Sequence, residues 1–131
     1  IEIPYATSMN GGSGLIKSIT ILDQVATGPA IDIVFSSDNT AITDDEGNAV
    51  GEGVADLDSA LANMLGVVQV VSGDYTDLVD SKLGTKTNID LGIQTESNSK
   101  SIYASVINRS GGNYVASATT VLRMKITIQK D

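Results

Sequence analysis

Apolar and polar side chains alternate most regularly near the C-terminus. Every second residue from Leu122 to Ile128 is apolar, and every second residue from Arg123 to Gln129 is polar. Successive side chains of a β-strand point to opposite faces, so this period of two predicts a strand over residues 121–129 with one buried face.

The chain is predicted to be organised around residues 11–35. Residues 29–35 alternate, with Ile31, Ile33 and Phe35 on one face, which predicts a strand with one buried face. Residues 15–23 form a second β-rich run that is apolar on both faces, which indicates that another element or subunit covers its second face. Polar residues 24–28 join the two runs, so a hairpin is the simplest prediction. In the first strand, the apolar residues are assigned to two faces: Leu15, Ile19 and Ile21 on one, Ile16 and Leu22 on the other.

Residues 1–14 have the pattern of an N-terminal arm with a Gly/Ser hinge, followed by a single β domain over residues 15–131. Ile1, Ile3 and Tyr5 alternate with polar or small residues, and Pro4 restricts this segment to an edge strand or an extended tail. The glycines and serine of residues 11–14 supply the flexible hinge. The alternative is that the segment forms the first edge strand of the domain's own sheet.

The periodicity changes at residues 56–65, where apolar side chains recur every three or four residues. This spacing predicts one short helix, with Asp56 and Asp58 at its start and Gly66 at its end. Val67–Val71 is β-branched and apolar on both faces, which favours a central strand.

Other strand patterns fall in residues 85–95 and 102–107, and residues 110–113 have the composition of a hairpin turn. The total is seven or eight strands and one short helix near residues 56–65. These features predict an all-β fold, a β-sandwich or barrel with jelly-roll or Greek-key-like connections.

The chain contains neither cysteine nor histidine. This excludes disulfides, the usual zinc sites and nucleophiles activated by histidine, so we expect no cofactor, no metal site and no enzyme. Asp74, Asp77 and Asp80 are the residues that an enzyme with paired carboxylates would use, but their spacing is that of a polar loop. A second acidic loop, residues 41–53, lacks the first ligand of a calcium-binding EF-hand because Ile42 stands there, and a solvated loop is expected.

The net charge of −8 is unevenly distributed. Residues 1–58 contain ten acidic residues and one basic residue, Lys17, whereas residues 59–131 contain six acidic and seven basic residues. Such a distribution argues against direct binding of nucleic acid, which requires clustered lysine and arginine. A solvated acidic face is one interpretation; the other is that the acidic half meets a basic patch on a neighbouring subunit. No apolar run reaches the roughly 20 residues that cross a bilayer, so no membrane association is expected.

Several segments resemble small structural proteins of tailed-bacteriophage heads, of the capsid decoration or cement type. The resemblance is densest in the 11–35 region and spans most of the chain. The matching segments are Gly11–Asp23, Gly28–Phe35, Gly66–Val68 leading to Ser72–Tyr75, Ile102–Ala104 and Leu122–Ile126. The family has no catalytic motif to carry over.

The resemblance implies a virion protein on the capsid exterior, assembled in the host cytoplasm. Its expected partners are the major capsid protein and further copies of itself, as a homotrimer. The alternatives are another virion component (neck, tail or receptor-binding tip) or a carbohydrate-binding module, although Trp is absent and aromatic residues are few. The apolar side chains predicted to contact other subunits or the capsid are Ile1, Ile3, Tyr5, Ile16 and Leu22.

Overall fold

The computed structural model describes residues 1–39, 63–111 and 122–131. These residues form two antiparallel sheets that pack as a β-sandwich, which confirms the predicted all-β class. The first sheet has the order β1-β8-β3-β4. In the second sheet, β9 pairs with one side of β2, β7 and β6 follow each other along its other side, and β5 pairs with β6. The nine strands are β1 (Glu2–Ile3), β2 (Ser13–Asp23), β3 (Ile31–Ser36), β4 (Met64–Val70), β5 (Tyr75–Asp77), β6 (Lys82–Lys86), β7 (Leu91–Gln94), β8 (Ile102–Asn108) and β9 (Leu122–Lys130).

The hydrophobic core lies between the sheets and is built from β-branched and aromatic side chains of both. Ile16, Ile19 and Ile21 of β2 face Ile33 and Phe35 of β3, and all five are at most 1% exposed. Side chains of β9 alternate as predicted. Every second residue from Leu122 to Ile128 is half-buried on the core side, and every second residue from Arg123 to Gln129 is exposed.

A β-bulge in β2 changes which side chains share a face. The register against β9 shifts between Ile16 and Ser18, so Lys17 is the extra residue. An extra residue reverses the alternation beyond it. Ile16 therefore joins Ile19 and Ile21 in the core, and the predicted grouping of Leu15 with Ile19 and Ile21 is wrong.

The predicted hairpin between residues 15–23 and 29–35 is also wrong, because β2 and β3 lie in different sheets. The intervening loop carries the chain from one sheet to the other. Its conformation is set by the buried carboxylate of Asp23, which accepts hydrogen bonds from the backbone N–H groups of Val25 and Gly28 at 2.9 and 2.7 Å. These contacts replace the tight turn that a hairpin would need.

Two further predictions concern the segment before β4 and β4 itself. Residues 56–62 of the predicted helix lie outside the described residues. Met64 and Leu65, predicted to be its last residues, and Gly66, predicted to end it, belong to β4. The predicted central strand β4 pairs only with β3 among the residues that the structure describes. Its backbone lies close to β7 at Gly66, where an added Cβ would be 2.5 Å from Leu91 Cδ1.

Tyr75 of β5 fills a space that two glycines leave open. It stands opposite Gly84, where an added Cβ would lie 2.9 Å from Tyr75 Cε1, and it also contacts Gly28. Its hydroxyl donates a hydrogen bond to Pro29 O at 2.9 Å. An aromatic ring packed over a glycine stabilises a weak point of a sheet, so Tyr75 fastens the β5–β6 hairpin to the 24–30 loop.

Burial, together with the negative charges of Asp23 and Asp74, raises the pKa of Tyr75 to about 12. An unfolded tyrosine has a pKa of about 10. The stability that this group contributes is therefore complete below pH 10 and is lost as the pH rises through 12. We expect an ultraviolet absorbance titration to show one tyrosine ionising near pH 12, and Tyr75→Phe to remove that step. Persistence of the step in the variant would assign it to another tyrosine.

Candidate functional site

The N-terminal segment is packed on its own domain. The amino group of Ile1 donates to Ala104 O at 2.8 Å, and Ala104 N donates to Ile1 O at 2.8 Å. Ala6 and Thr7 are 1% exposed, and Thr7 N donates to Lys100 O. Of the two alternatives for this segment, the structure has the edge strand: β1 pairs with β8 of the same chain. Of the predicted hinge, residues 11–14, only Gly11 and Gly12 precede β2, because Ser13 and Gly14 are the first residues of that strand.

Three apolar side chains of this segment nevertheless point into solvent: Ile1 and Tyr5 are 71% exposed, and Met9 is 66% exposed. Tyr5 has a φ of 55°, in the left-handed region that aromatic residues rarely adopt. A fixed backbone that presents large apolar side chains outward is typical of a contact surface. We call Ile1, Tyr5 and Met9 the N-terminal surface.

The other predicted contact residues are distributed differently. Ile3 is partly buried against the core. Ile16 is 0% exposed, so the prediction that it contacts another subunit is wrong, and the β-bulge at Lys17 is the reason. Leu22 is half-buried on the outer face of the second sheet, opposite Arg123 and Leu83.

A second exposed apolar feature is the turn of the β5–β6 hairpin, residues 78–81, which we call the hairpin tip. Leu78 N donates to Ser81 O at 2.8 Å, and Asp80 N donates to Leu78 O at 3.1 Å. The second bond closes a γ-turn centred on Val79, whose φ is 79°. This form of γ-turn is rare and strained, above all for a β-branched residue. Val79 is 90% exposed and Leu78 47% exposed.

The sequence predicted an irregular polar stretch here and so missed both β5 and the hairpin tip. The available signal was the pair Leu78-Val79 placed between Asp77 and Asp80, two aliphatic residues in a short polar connection. The acidic residues themselves have structural partners: Asp74 pairs with Lys86 Nζ at 2.8 Å, and Asp77 Oδ1 accepts a hydrogen bond from Val79 N.

The two apolar features lie at opposite ends of the sandwich. Gly12 immediately precedes β2, and its N–H donates to the carbonyl of Met9 at 3.1 Å, so the N-terminal surface lies at this end of β2. Asp23, at the other end of β2, pairs with Lys82 beside the hairpin tip. Eleven residues at about 3.3 Å each separate these ends by roughly 35 Å.

Within the described ranges there is no group of three or more acidic residues arranged to hold a metal ion. The acidic loop at residues 41–53 lies outside those ranges. In the part of the chain that the structure describes, no helix is long and apolar enough to span a membrane.

Comparison of the chain with protein-family models, with curated proteins and with solved structures found no match.

Proposed function

We propose that this protein is a bacteriophage capsid decoration, or cement, protein. It binds the outer surface of the head and stabilises contacts between major capsid protein subunits. The observation that carries the proposal is the presence of exposed apolar side chains at both ends of the sandwich, on backbone that hydrogen bonds hold in place. A protein that clamps two neighbouring subunits needs one such contact for each of them.

The energetics favour contact residues of this kind. Burying an exposed valine, leucine or phenylalanine-sized side chain contributes about 1.5–3 kcal/mol. Tyr5 and Val79 sit on strained but fixed backbone, so docking does not have to order them and less entropy is lost. Aromatic side chains such as Tyr5 are also frequent among the residues that dominate binding energy.

The proposal includes self-association as a homotrimer on the capsid exterior. It also includes docking of the acidic half of the chain against basic groups of a neighbouring subunit. Opposite charges on two surfaces accelerate their encounter and fix their orientation. The resemblance of residues 11–35 to phage head proteins supports this setting over a neck or tail component.

The proposal is tested by adding purified protein to phage heads that lack it and measuring co-sedimentation. We expect saturable binding to expanded heads, weakened about tenfold or more by Tyr5→Ser and by Val79→Ser, since each removes an apolar anchor. Val67→Ser is the matched control, because Val67 is also an exposed valine, 47% accessible, but lies on β4 away from both ends.

Equal weakening by the control, or absence of binding to heads, would contradict the proposal. Reconstructed density at the tail vertex alone would favour a neck or tail component instead.

A further inference from the structure

Asn10 is the only asparagine of the chain that is followed by glycine, and it is exposed. In an asparagine–glycine pair, the main-chain nitrogen of the glycine can attack the side-chain amide carbon of the asparagine and close a five-membered ring. Glycine has no Cβ that obstructs this approach. On chemical grounds the Asn10–Gly11 unit is therefore the most labile asparagine site of the sequence.

The turn that contains this unit requires glycine at position 11. Gly11 has a φ of 66°, in the left-handed region that glycine adopts without strain. A Cβ added to Gly11 would lie 3.3 Å from Ser97 Cα and 3.9 Å from Glu96 O, so the backbone of residues 96–97 leaves little space for a side chain. The conformation of the turn and its close packing therefore both retain the residue that makes Asn10 reactive.

The nitrogen of Gly11 is held in an unreactive state by two hydrogen bonds. Its N–H donates to Glu96 O at 2.9 Å and to Ser99 O at 3.1 Å. Ring closure needs a nitrogen that has lost its hydrogen and directs its lone pair at Asn10 Cγ. Both hydrogen bonds must break before Gly11 N can do this, and breaking them costs free energy.

The residues on each side of Gly11 are fastened to the same part of the domain. The hydroxyl of Thr7 donates to Met9 O at 2.8 Å and lies 3.1 Å from the hydroxyl of Thr95. Thr95 N donates to Gly12 O at 3.0 Å, and both threonines are buried. Release of Gly11 N therefore requires residues 9–12 to open together, as a local unit of the fold.

We infer that Asn10 is a site of spontaneous conversion to aspartate and isoaspartate, and that local opening of residues 9–12 controls its rate. In the open turn, Gly11 N gives its proton to water or hydroxide and forms a bond to Asn10 Cγ. The Cγ–Nδ2 bond breaks, and Nδ2 takes up a proton and leaves as ammonia. Water then adds to one of the two ring carbonyl carbons, and the bond from that carbon to Gly11 N breaks as the nitrogen regains a proton.

The product changes both the charge and the backbone of the turn. Opening of the ring at Cγ gives aspartate, whereas opening at the main-chain carbonyl gives isoaspartate, whose main chain is longer by one carbon atom. Either product adds one negative charge to the net charge of −8, beside Met9 of the N-terminal surface. This inference does not rest on the proposed function, since the reaction takes place in the isolated chain with or without a phage head.

The test is incubation of the full chain in neutral buffer, native and in guanidinium chloride. Peptide mass spectrometry locates the product, and enzymatic methylation of isoaspartate measures its amount. We expect the product at Asn10, formed about tenfold or more slowly in the native chain, because only the open fraction reacts. Asn10→Gln is the control for the assignment: its longer side chain closes a six-membered ring less readily, so product at this position should disappear.

Two further variants test whether the turn controls the rate. Thr7→Val and Thr95→Val each remove a hydroxyl beside the turn, and we expect either to accelerate the native reaction about threefold or more. Hydrogen exchange at the Gly11 amide should accelerate by the same factor, since both processes need the same opening. Thr27→Val is the matched control, because its hydroxyl bonds Asp23 at the far end of β2, and the rate at Asn10 should not change.

Three results would overturn the inference. The first is equal rates in the native and unfolded chains, and the second is earlier conversion of another asparagine in the unfolded chain. The third is a folded Thr7→Val or Thr95→Val variant whose Gly11 amide exchanges faster while the conversion of Asn10 keeps its original rate.

Discussion

Replacing Phe35 with alanine is expected to lower the free energy of unfolding by about 4 kcal/mol, within the range for large-to-small changes in cores. Phe35 is 0% exposed and is the largest fully buried side chain among the residues that the structure describes. Its cross-strand neighbours are Gly66 on β4 and Ala104 on β8, both of them small. Neither neighbour has side-chain atoms that can move into the space, so the cavity stays open and its full cost is felt.

Urea denaturation followed by circular dichroism measures this loss as a lower midpoint at unchanged slope. Phe35→Leu is the control: it keeps most of the volume and should cost less than about 1.5 kcal/mol. Ala104→Val in the Phe35→Ala background adds atoms beside the cavity and should recover part of the stability. A loss near 1 kcal/mol for Phe35→Ala would mean that the sheets close around the vacancy.

Periodicity alone predicted the strands that contain no bulged residue. The predicted limits of β3 and β9 differ from the structure by at most two residues, because an uninterrupted period of two needs no knowledge of the rest of the fold. In β2 the same reasoning assigned Ile16 to the wrong face. The bulge at Lys17 depends on how β9 pairs with β2, and a single sequence does not record that pairing.

Apolar residues on both faces did not distinguish a central strand from an edge strand. Residues 67–71 were predicted to be central, yet among the described residues β4 pairs with β3 alone, with Val67 and Val71 about half exposed. Apolarity reports burial of a strand's faces, whereas strand order depends on long-range pairing. Gly66 of β4 packs against Leu91 of β7. This packing buries part of β4, although among the described residues only β3 is hydrogen-bonded to it.

Two of the exposed residues of the N-terminal surface were predictable from the sequence, whereas those of the hairpin tip were not. Ile1 and Tyr5 were predicted from local pattern, and both are exposed. Val79 was missed because its exposure follows from a γ-turn, a backbone conformation for which valine gives no signal.

Replacing Asp23 with alanine is expected to lower the free energy of unfolding by about 3 kcal/mol, since hydrogen bonds to a charged group contribute about 1.5–3 kcal/mol each and are not additive. Asp23 is 0% exposed at the end of β2. Its carboxylate accepts bonds from Val25 N, from Gly28 N and, at 3.1 Å, from the Thr27 hydroxyl. Alanine leaves the buried Gly28 N–H without this acceptor, which is more costly than losing an exposed bond.

A graded series separates the carboxylate from the individual bonds. Thr27→Ala removes one partly exposed donor and should cost about 1 kcal/mol. Asp23→Asn keeps one oxygen but turns an N–H group toward a donor, so its cost should fall between those of Thr27→Ala and Asp23→Ala.

The same loop carries Pro29, the acceptor of the Tyr75 hydroxyl, so Asp23→Ala should also loosen the β5–β6 hairpin. Hydrogen exchange should therefore be faster at the amides that join β5 to β6, while those in β3 remain protected. If Asp23→Ala cost no more than Thr27→Ala, the loop between the sheets would be held by its backbone and not by this carboxylate.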